Sequence, residues 1–406
     1  MGFIHLHLHS QYSFLDGASS LDELLDKAVS LKIPALALTD HNRLTGVIRF
    51  YDKAKAVGIK PIIGAEVDLD GGYHLILLCK NAEGYSNLCR LLTQAHLSNR
   101  GRKPKATREM LRNHSSGLIA LSGCGRGEIP TLLCKVKRDK AKEAACFYKE
   151  VFGNDFFIEL IRYPSREGFT DSYQLASFAK EEGLPIVATN NVHYAELKEY
   201  KIKELLNAID QNIPVSQLEG YRTVEQYLKS PKEMVKLFRD IPEGIKNTEE
   251  IASRCNLELE LGKPRFPKFD IPEGESDYGY LSKIAFKGAK RKYGLLSTSI
   301  RNRLEHELDT INELGFCSYF LVVRDIVRWA KSRDIRCQAR GSAVDSFVVY
   351  LLDISNVDPM EYNLLFERFM HPLRYEPPDI DLDIDRRRRD AVSDYIYKTS
   401  GAENVA

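Results

Sequence analysis

Through the first 200 residues of this 406-residue chain, short β-branched runs alternate with amphipathic stretches. That alternation restricts the fold more than any other feature. Candidate strands fall at 3–9, 35–39, 61–67, 73–78, 118–121, 156–160 and 185–188, with helical stretches at 21–31, 84–96, 140–152 and 172–182. Repeated strand-then-helix order predicts a parallel sheet, because a parallel neighbour needs a crossover long enough to hold a helix. This many units predicts an α/β fold closed, or nearly closed, into a barrel.

From about 196 to 261 the pattern turns helical, as in YKIKELLNAID and SPKEMVKLF. A Pro-rich bridge, KPRFPKFDIPEGES, then marks a boundary near residue 270. The remainder reads as α+β, with helices at 280–293, 300–314 and 318–333. The expected organisation is therefore a barrel at 1–200, a helical extension at 201–268 and an α+β region at 269–406. Composition narrows the class. Hydrophobic residues at 43% and charged residues at 28% exclude wholesale disorder. No run of 18 apolar residues offers a transmembrane helix, and the N-terminus lacks the basic and apolar regions of a secretory signal. Net charge of +1, from 58 basic and 57 acidic residues, excludes a generally basic nucleic-acid coat but not a local basic channel. Eight cysteines without a C-x-x-C pair argue against a zinc ribbon and for reduced thiols in the cytoplasm.

Eight of the ten histidines lie within the first 193 residues. His5, His7 and His9 alternate, so one strand face would carry all of them. Asp40 and His41 end the next strand, Glu66 ends the one after, His74 begins the following strand, and Cys124 and His193 follow later ones. Parallel α/β barrels collect their chemistry at C-terminal strand ends, where all but His74 fall. Imidazole, carboxylate and thiolate together suit Zn, Mn or Fe, whereas Ca and Mg prefer oxygen. Such ions can activate water for phosphoester cleavage. A lone buried His or Cys is more often a satisfied core group, and His96, His114, His306 and His371 receive that reading. The joint pattern does not.

A second cluster lies near the C-terminus. Gly341 and Ser342 open an apolar stretch, AVDSFVVYLLDI, whose helix N-terminus would offer N–H groups to phosphate. Asp379, Asp381, Asp383 and Asp385 then alternate with aliphatics, placing the carboxylates on one strand face. Like charges so close repel unless cations neutralise them. A solvated acidic edge strand is the bland alternative. Two Mg²⁺ ions on such carboxylates could activate a primer 3′-hydroxyl and stabilise departing pyrophosphate.

The segments FIHLHLHSQYSFLDGA, ALTDHN, IIGAEV, YHLILL, LSGC and ATNNVHY resemble the polymerase-and-histidinol-phosphatase (PHP) domain of bacterial DNA polymerase III alpha subunits. The resemblance implies a distorted (β/α) barrel with a trinuclear Zn²⁺ or Mn²⁺ site. Its ligands would be His7, His9, Asp16, His41, Glu66, His74, Cys124 and His193, with Asp40 a nearby acid and His5 a flanking group. Asn191 stands in the ligand set where the family usually has Asp, so a neutral donor should hold one metal less tightly. Some PHP domains of this family act as 3′–5′ exonucleases, while others have lost ligands and support the fold. GFCSYFLVVRDIVRWAKSRDIRCQARGSAVDSFVVYLLDISNVDPMEYNLLFERF followed by PDIDLDI resembles the polymerase-beta-like α+β palm of the same subunits. That likeness implies Asp379 and Asp381 as a Mg²⁺-binding pair supported by Asp383. Gly341 and Ser342 would contact a triphosphate, and Arg340 and Arg368 its phosphates. CQARGSA and EPPDIDLDIDRRRRDAVSDYIY are closer to the error-prone paralogue. Ala339, Val344, Asp345 and Ile384 depart from the usual pattern, and an acid at 345 would repel a nucleotide. Arg386 to Arg389 read as a solvated helix face.

The family continues with a third catalytic Asp, thumb, fingers and clamp-binding regions, so the expectation is an N-terminal piece or a truncated relative that does not polymerise alone. Implied partners are DNA primer-template, deoxynucleoside triphosphates and replication or translesion accessory proteins, with no membrane. Two rival readings stand beside the polymerase: a free-standing PHP-type phosphoesterase or nuclease, and a relic scaffold.

Overall fold

A computed structural model describes residues 2–99, 103–163, 166–218, 224–262, 266–373, 377–401 and 405. Residues 263–265 of the Pro-rich bridge and Glu376 of the acidic motif lie outside the described residues. The chain forms two compact units, Met1–Leu259 and Glu260–Ala406. No helix among the described residues is long and apolar enough to cross a membrane.

The first unit is built on six strands in sequential order: β1 (Ala35–Leu38), β2 (Lys60–Asp68), β3 (His74–Cys79), β4 (Leu118–Leu121), β5 (Phe156–Ile161) and β6 (Ile186–Thr189). The sheet is mixed rather than wholly parallel. β1–β2, β4–β5 and β5–β6 are parallel pairs, whereas β3 runs antiparallel to both its neighbours. The cause is local: only residues 69–73 separate β2 from β3, too few for a crossover. Gly71 and Gly72 take φ of 88° and 79° there, a backbone that suits glycine.

The stretch expected as a first strand at 3–9 makes bridges instead of a regular strand, at His5↔Leu36 and Leu8↔Val192. It lies between β1 on one side and the residues after β6 on the other. Ala37 N donates to His5 O and Thr39 N to Leu8 O, both at 2.9 Å, while His9 N donates to Val192 O at 2.8 Å. These bonds join the first strand to the region beyond the last, which closes the sheet into a distorted barrel. Helices cover it where the amphipathic stretches predicted them, with Leu21–Ser30, Ala82–Ser98, Arg138–Phe152 and Arg166–Glu181 among them. Helix Leu21–Ser30 begins with a Ser20–Glu23 capping box. The later helix Pro242–Arg254 packs on β6, where Asn247 Nδ2 donates to Ile186 O at 2.7 Å.

The second unit is α+β. Helices Asp277–Tyr293, Thr298–Glu313 and Cys317–Lys331 pack with the short helix Phe347–Leu351 around one apolar core, beside an antiparallel pair, β7 (Cys337–Arg340) and β8 (Asp381–Ile384). Glu307, fully buried, organises that core. It accepts from Phe347 N at 3.0 Å, Val348 N at 3.1 Å and Ser346 Oγ at 2.8 Å, and pairs with Arg303 Nε at 2.6 Å. Its carboxylate therefore fills the N-terminus of helix Phe347–Leu351, which sequence patterning had offered to phosphate.

Glu307→Ala leaves two helix-terminal N–H groups and the Arg303 charge without their partner, so this unit should lose about 3 kcal/mol. Trp329, the single tryptophan, sits in the same unit and reports its unfolding. A urea midpoint unchanged from wild type by its fluorescence would contradict this role for Glu307.

Candidate functional site

Eight imidazole, carboxylate and thiol side chains meet at one end of the barrel, joined by Asp68. Among the described residues, four groups have ligand atoms within 4.8 Å of one another: His7, His9 and Glu66; His9, Asp16 and His193; His41, Asp68 and His74; and Glu66, His74 and Cys124. His74 is no outlier. Because β3 runs antiparallel to β2, its first residue pairs with Asp68 at the end of β2. The start of that strand thus lies at the same barrel end as the finish of its neighbour.

Proton positions follow from the hydrogen bonds. Glu159 can only accept, so His7 Nδ1, 2.7 Å from Glu159 Oε1, carries the hydrogen. Ser13 Oγ gives its own proton to Asp40 Oδ1 at 2.7 Å. It must therefore accept from His9 Nδ1, which lies 3.0 Å away. In their neutral forms both rings then present Nε2 lone pairs to each other at 3.0 Å, and His7 Nε2 lies 2.8 Å from Glu66 Oε2. Neither Glu66 oxygen accepts a well-formed hydrogen bond. Lone pairs facing lone pairs in a site this buried call for a cation, and a carboxylate behind a ligating imidazole is the usual support for one.

Without a metal ion, protons do part of that work. Burial disfavours charge on His7, but Glu159 and Glu66 outweigh it and push it up to about 9. Burial likewise opposes His41, whose ring nitrogens meet Glu66 Oε1 at 3.0 Å and Asp16 Oδ2 at 2.9 Å, and Glu66 raises it. His9 and His193 go the other way, held well below the imidazole range by burial and by neighbouring His41. Burial resists ionisation of Glu66 too, yet His41 and His74 hold it well below the carboxylate range. Cys124 Sγ lies 3.7 Å from His74 Nδ1, and burial followed by Glu66 pushes the thiol well up. It would become a thiolate ligand only against a cation.

The structure thus gathers His7, His9, Asp16, His41, Glu66, His74, Cys124 and His193. It does not bring Asp40 into any group. That acid accepts from Ser10 N at 2.7 Å and from the Ser10 and Ser13 hydroxyls, so it orients Ser13 rather than offering free lone pairs. Asn191, at φ 46°, buries a side-chain oxygen with no hydrogen-bond partner, which leaves a donor available. His5 turns away to Lys229 O at 2.8 Å, so the alternating imidazoles do not all serve one site. Sequence reasoning missed Asp68, Glu159 and Lys203. Asp68 repeats the Glu66 face two residues on, and Glu159 is the acid inside FFIELI. Lys203 contacts Asp16.

In the second unit, β7 and β8 set Arg340 opposite Asp381 and Gln338 opposite Asp383. Asp379, Asp381, Asp383 and Asp385 are exposed while Ile380, Leu382 and Ile384 pack on the core, as alternation predicts. Arg340 reaches Asp381 Oδ2 at 3.4 Å and Asp383 Oδ1 at 3.3 Å. Asp385 accepts from Arg387 N at 2.9 Å and so serves a turn. Gly341, at φ 66°, opens a 3-10 turn that includes Ser342; a Cβ there would lie 4.0 Å from Asp381 Oδ2, so the backbone passes beside the acids with room to spare. Asp345 is buried, 3.7 Å from Arg368 Nε.

The PHP domain family matches residues 5–163, and the family described as the bacterial DNA polymerase III alpha NTPase domain matches residues 279–406. An error-prone DNA polymerase of Symbiobacterium thermophilum is 44% identical over the whole chain, which covers 39% of that relative. DNA polymerase III alpha subunits of Borreliella burgdorferi and Treponema pallidum are 38% and 39% identical over the whole chain, which covers 37% and 36% of them. The chain spans under two fifths of the length of these curated relatives.

Glu159→Gln can rotate an amide N–H toward His7 Nδ1 and reverse its tautomer. Mn²⁺ affinity, measured against a chelating indicator, should fall about 10–100-fold with the fold intact. Unchanged affinity would remove Glu159 from the site. A bound cation must also displace the His7 proton. Apparent affinity should therefore rise with pH up to about 9 and flatten above it. A flat titration from neutral pH upward would contradict that linkage.

Proposed function

We propose, from the PHP match at 5–163 and the DNA polymerase III alpha match at 279–406, that the chain is the N-terminal part of a DNA-directed DNA polymerase of the bacterial DNA polymerase III alpha type. The observation that carries this reading is the β7–β8 pair, which ranges Asp381 and Asp383 along one exposed face beside Gly341 and Arg340, with Asp379 just before it. Exposed oxygen donors of this kind fit Mg²⁺. Asp379 and Asp381 would hold it, and Mg²⁺ supplies charge neutralisation at the triphosphate and activation of the primer hydroxyl. Asp383 steadies the Arg340 guanidinium, whose remaining N–H donors are free to meet a phosphate oxygen. Gly341 and Ser342 lend backbone and hydroxyl donors at the same edge. Arg368 pairs with Asp345 and offers a second guanidinium. Glu307 keeps the helix behind the turn in place by capping it. Primer-template DNA and deoxynucleoside triphosphates would be the substrates, with replication or translesion accessory proteins as partners of the longer protein in the cytoplasm.

A second activity is favoured by the barrel. Its converging lone pairs on His7, His9 and Glu66, with Glu159 behind, fit Zn²⁺ or Mn²⁺, and an ion there supplies an activated water for phosphoester cleavage. His7, His9, His41, His74 and His193 bring imidazole donors, while Asp16, Glu66, Cys124 and Asn191 complete the set. This arrangement supports 3′–5′ exonuclease chemistry on the nascent strand.

In the full-length enzyme, Asp381→Asn should abolish primer extension while leaving primer-template binding in place; extension at the wild-type rate sinks the palm assignment. For the barrel, the chain with Mn²⁺ should release mononucleotides from a 3′-mismatched primer, and His9→Ala should stop it. Release that persists in the variant would move the nuclease elsewhere.

A further inference from the structure

Helix Tyr200–Gln211 is a surface helix: Ile202, Leu205 and Ile209 remain 47%, 50% and 53% exposed. Lys203 is one of its two buried residues and points into the barrel cluster. Burying an ammonium costs several kcal/mol in general unless a charge meets it. Here the Nζ makes a close ion pair with Asp16 Oδ1 and lies 3.3 Å from His193 Nδ1. Asp16 and His193 are two of the three side chains in the group His9, Asp16 and His193. The other Asp16 oxygen is 2.9 Å from both His41 Nε2 and His193 Nδ1.

Resting on the reading of the barrel as a metal centre, we propose that the Lys203 side chain occupies one of its cation positions, so that the chain holds one divalent ion fewer than its ligands could bind. An ammonium has three donors and no acceptor, so its natural partners are the carboxylate oxygen and ring lone pair that a metal would take. A divalent ion placed between Asp16 and His193 would have to displace the Lys203 Nζ from both of them. Asn191, two residues from His193, adds a buried oxygen without charge. The acid needed to balance a further divalent ion is therefore missing on the same side. The group His7, His9 and Glu66 and the groups around His74 make no hydrogen bond or ion pair with Lys203 and remain open to metal.

The full chain is stripped with a chelator, dialysed against Mn²⁺ and counted by plasma mass spectrometry. It should carry one equivalent fewer than Lys203→Ala treated the same way, and equal counts overturn the proposal. Should the variant fail to fold by circular dichroism, anomalous maps at the Mn edge from wild-type crystals decide. Peaks confined to the His7 and His74 sides support lysine occupancy, and a peak bonded to Asp16 and His193 overturns it. Absence of metal from both proteins overturns instead the metal-centre reading on which the proposal rests.

Discussion

The barrel chemistry depends on one backbone arrangement: residues 3–9 are hydrogen-bonded on both sides, to β1 and to the stretch after β6. Thr39 tightens it further, accepting from Leu8 N at 2.9 Å and donating to Leu8 O at 3.0 Å. A one-residue slip of an extended segment moves every side chain to the opposite face. Here that would withdraw His7 and His9 from Glu66 and replace them with Leu6 and Leu8. Closure of the sheet and assembly of the imidazole cluster are thus a single event, with one register satisfying both.

The two units handle crowded carboxylates in opposite ways. In the barrel, Glu66 and Glu159 are almost wholly buried, and each is faced by imidazoles. Low local dielectric makes such contacts strong and makes an unmet charge costly, so each of these acids is placed against at least one imidazole. On β8 the acids are exposed, water screens their mutual repulsion, and Arg340 at 3.3–3.4 Å adds only a weak surface pair. That face tolerates its acids before any cation arrives. The barrel interior does not, and it relies on protons or a resident ammonium when metal is absent.

Much of this was legible in the sequence. Strands β1, β2, β4, β5 and β6 fall within one or two residues of the apolar runs that marked them, and the alternation at Asp379–Asp385 named the exposed face. What escaped has physical reasons. The direction of β3 turned on residues 69–73, whose Gly71–Gly72 pair is a turn signal that strand-helix counting ignores. Glu159 sits in an apolar strand run and reads as an interruption until His7 is found beside it. Glu307 lies on the polar-looking helix Thr298–Glu313, and only tertiary packing carries it to the start of a helix forty residues away. Lys203 belongs to an ordinary amphipathic pattern, and no periodicity shows which lysine of a helix turns inward. The helical stretch after 200 joins the barrel because its packing on β6 is a long-range contact that composition does not record.

A count of ligands alone therefore misstates how such a site is built. His7 and His9 can face a cation only while Glu159 and Ser13 hold the opposite ring nitrogens protonated, and Ser13 does so only because Asp40 takes its hydroxyl proton. Asp40, which joins none of the four ligand groups, fixes the tautomer of His9 at two removes. The residues that decide whether the imidazoles act as ligands or as ordinary buried bases are thus those behind them.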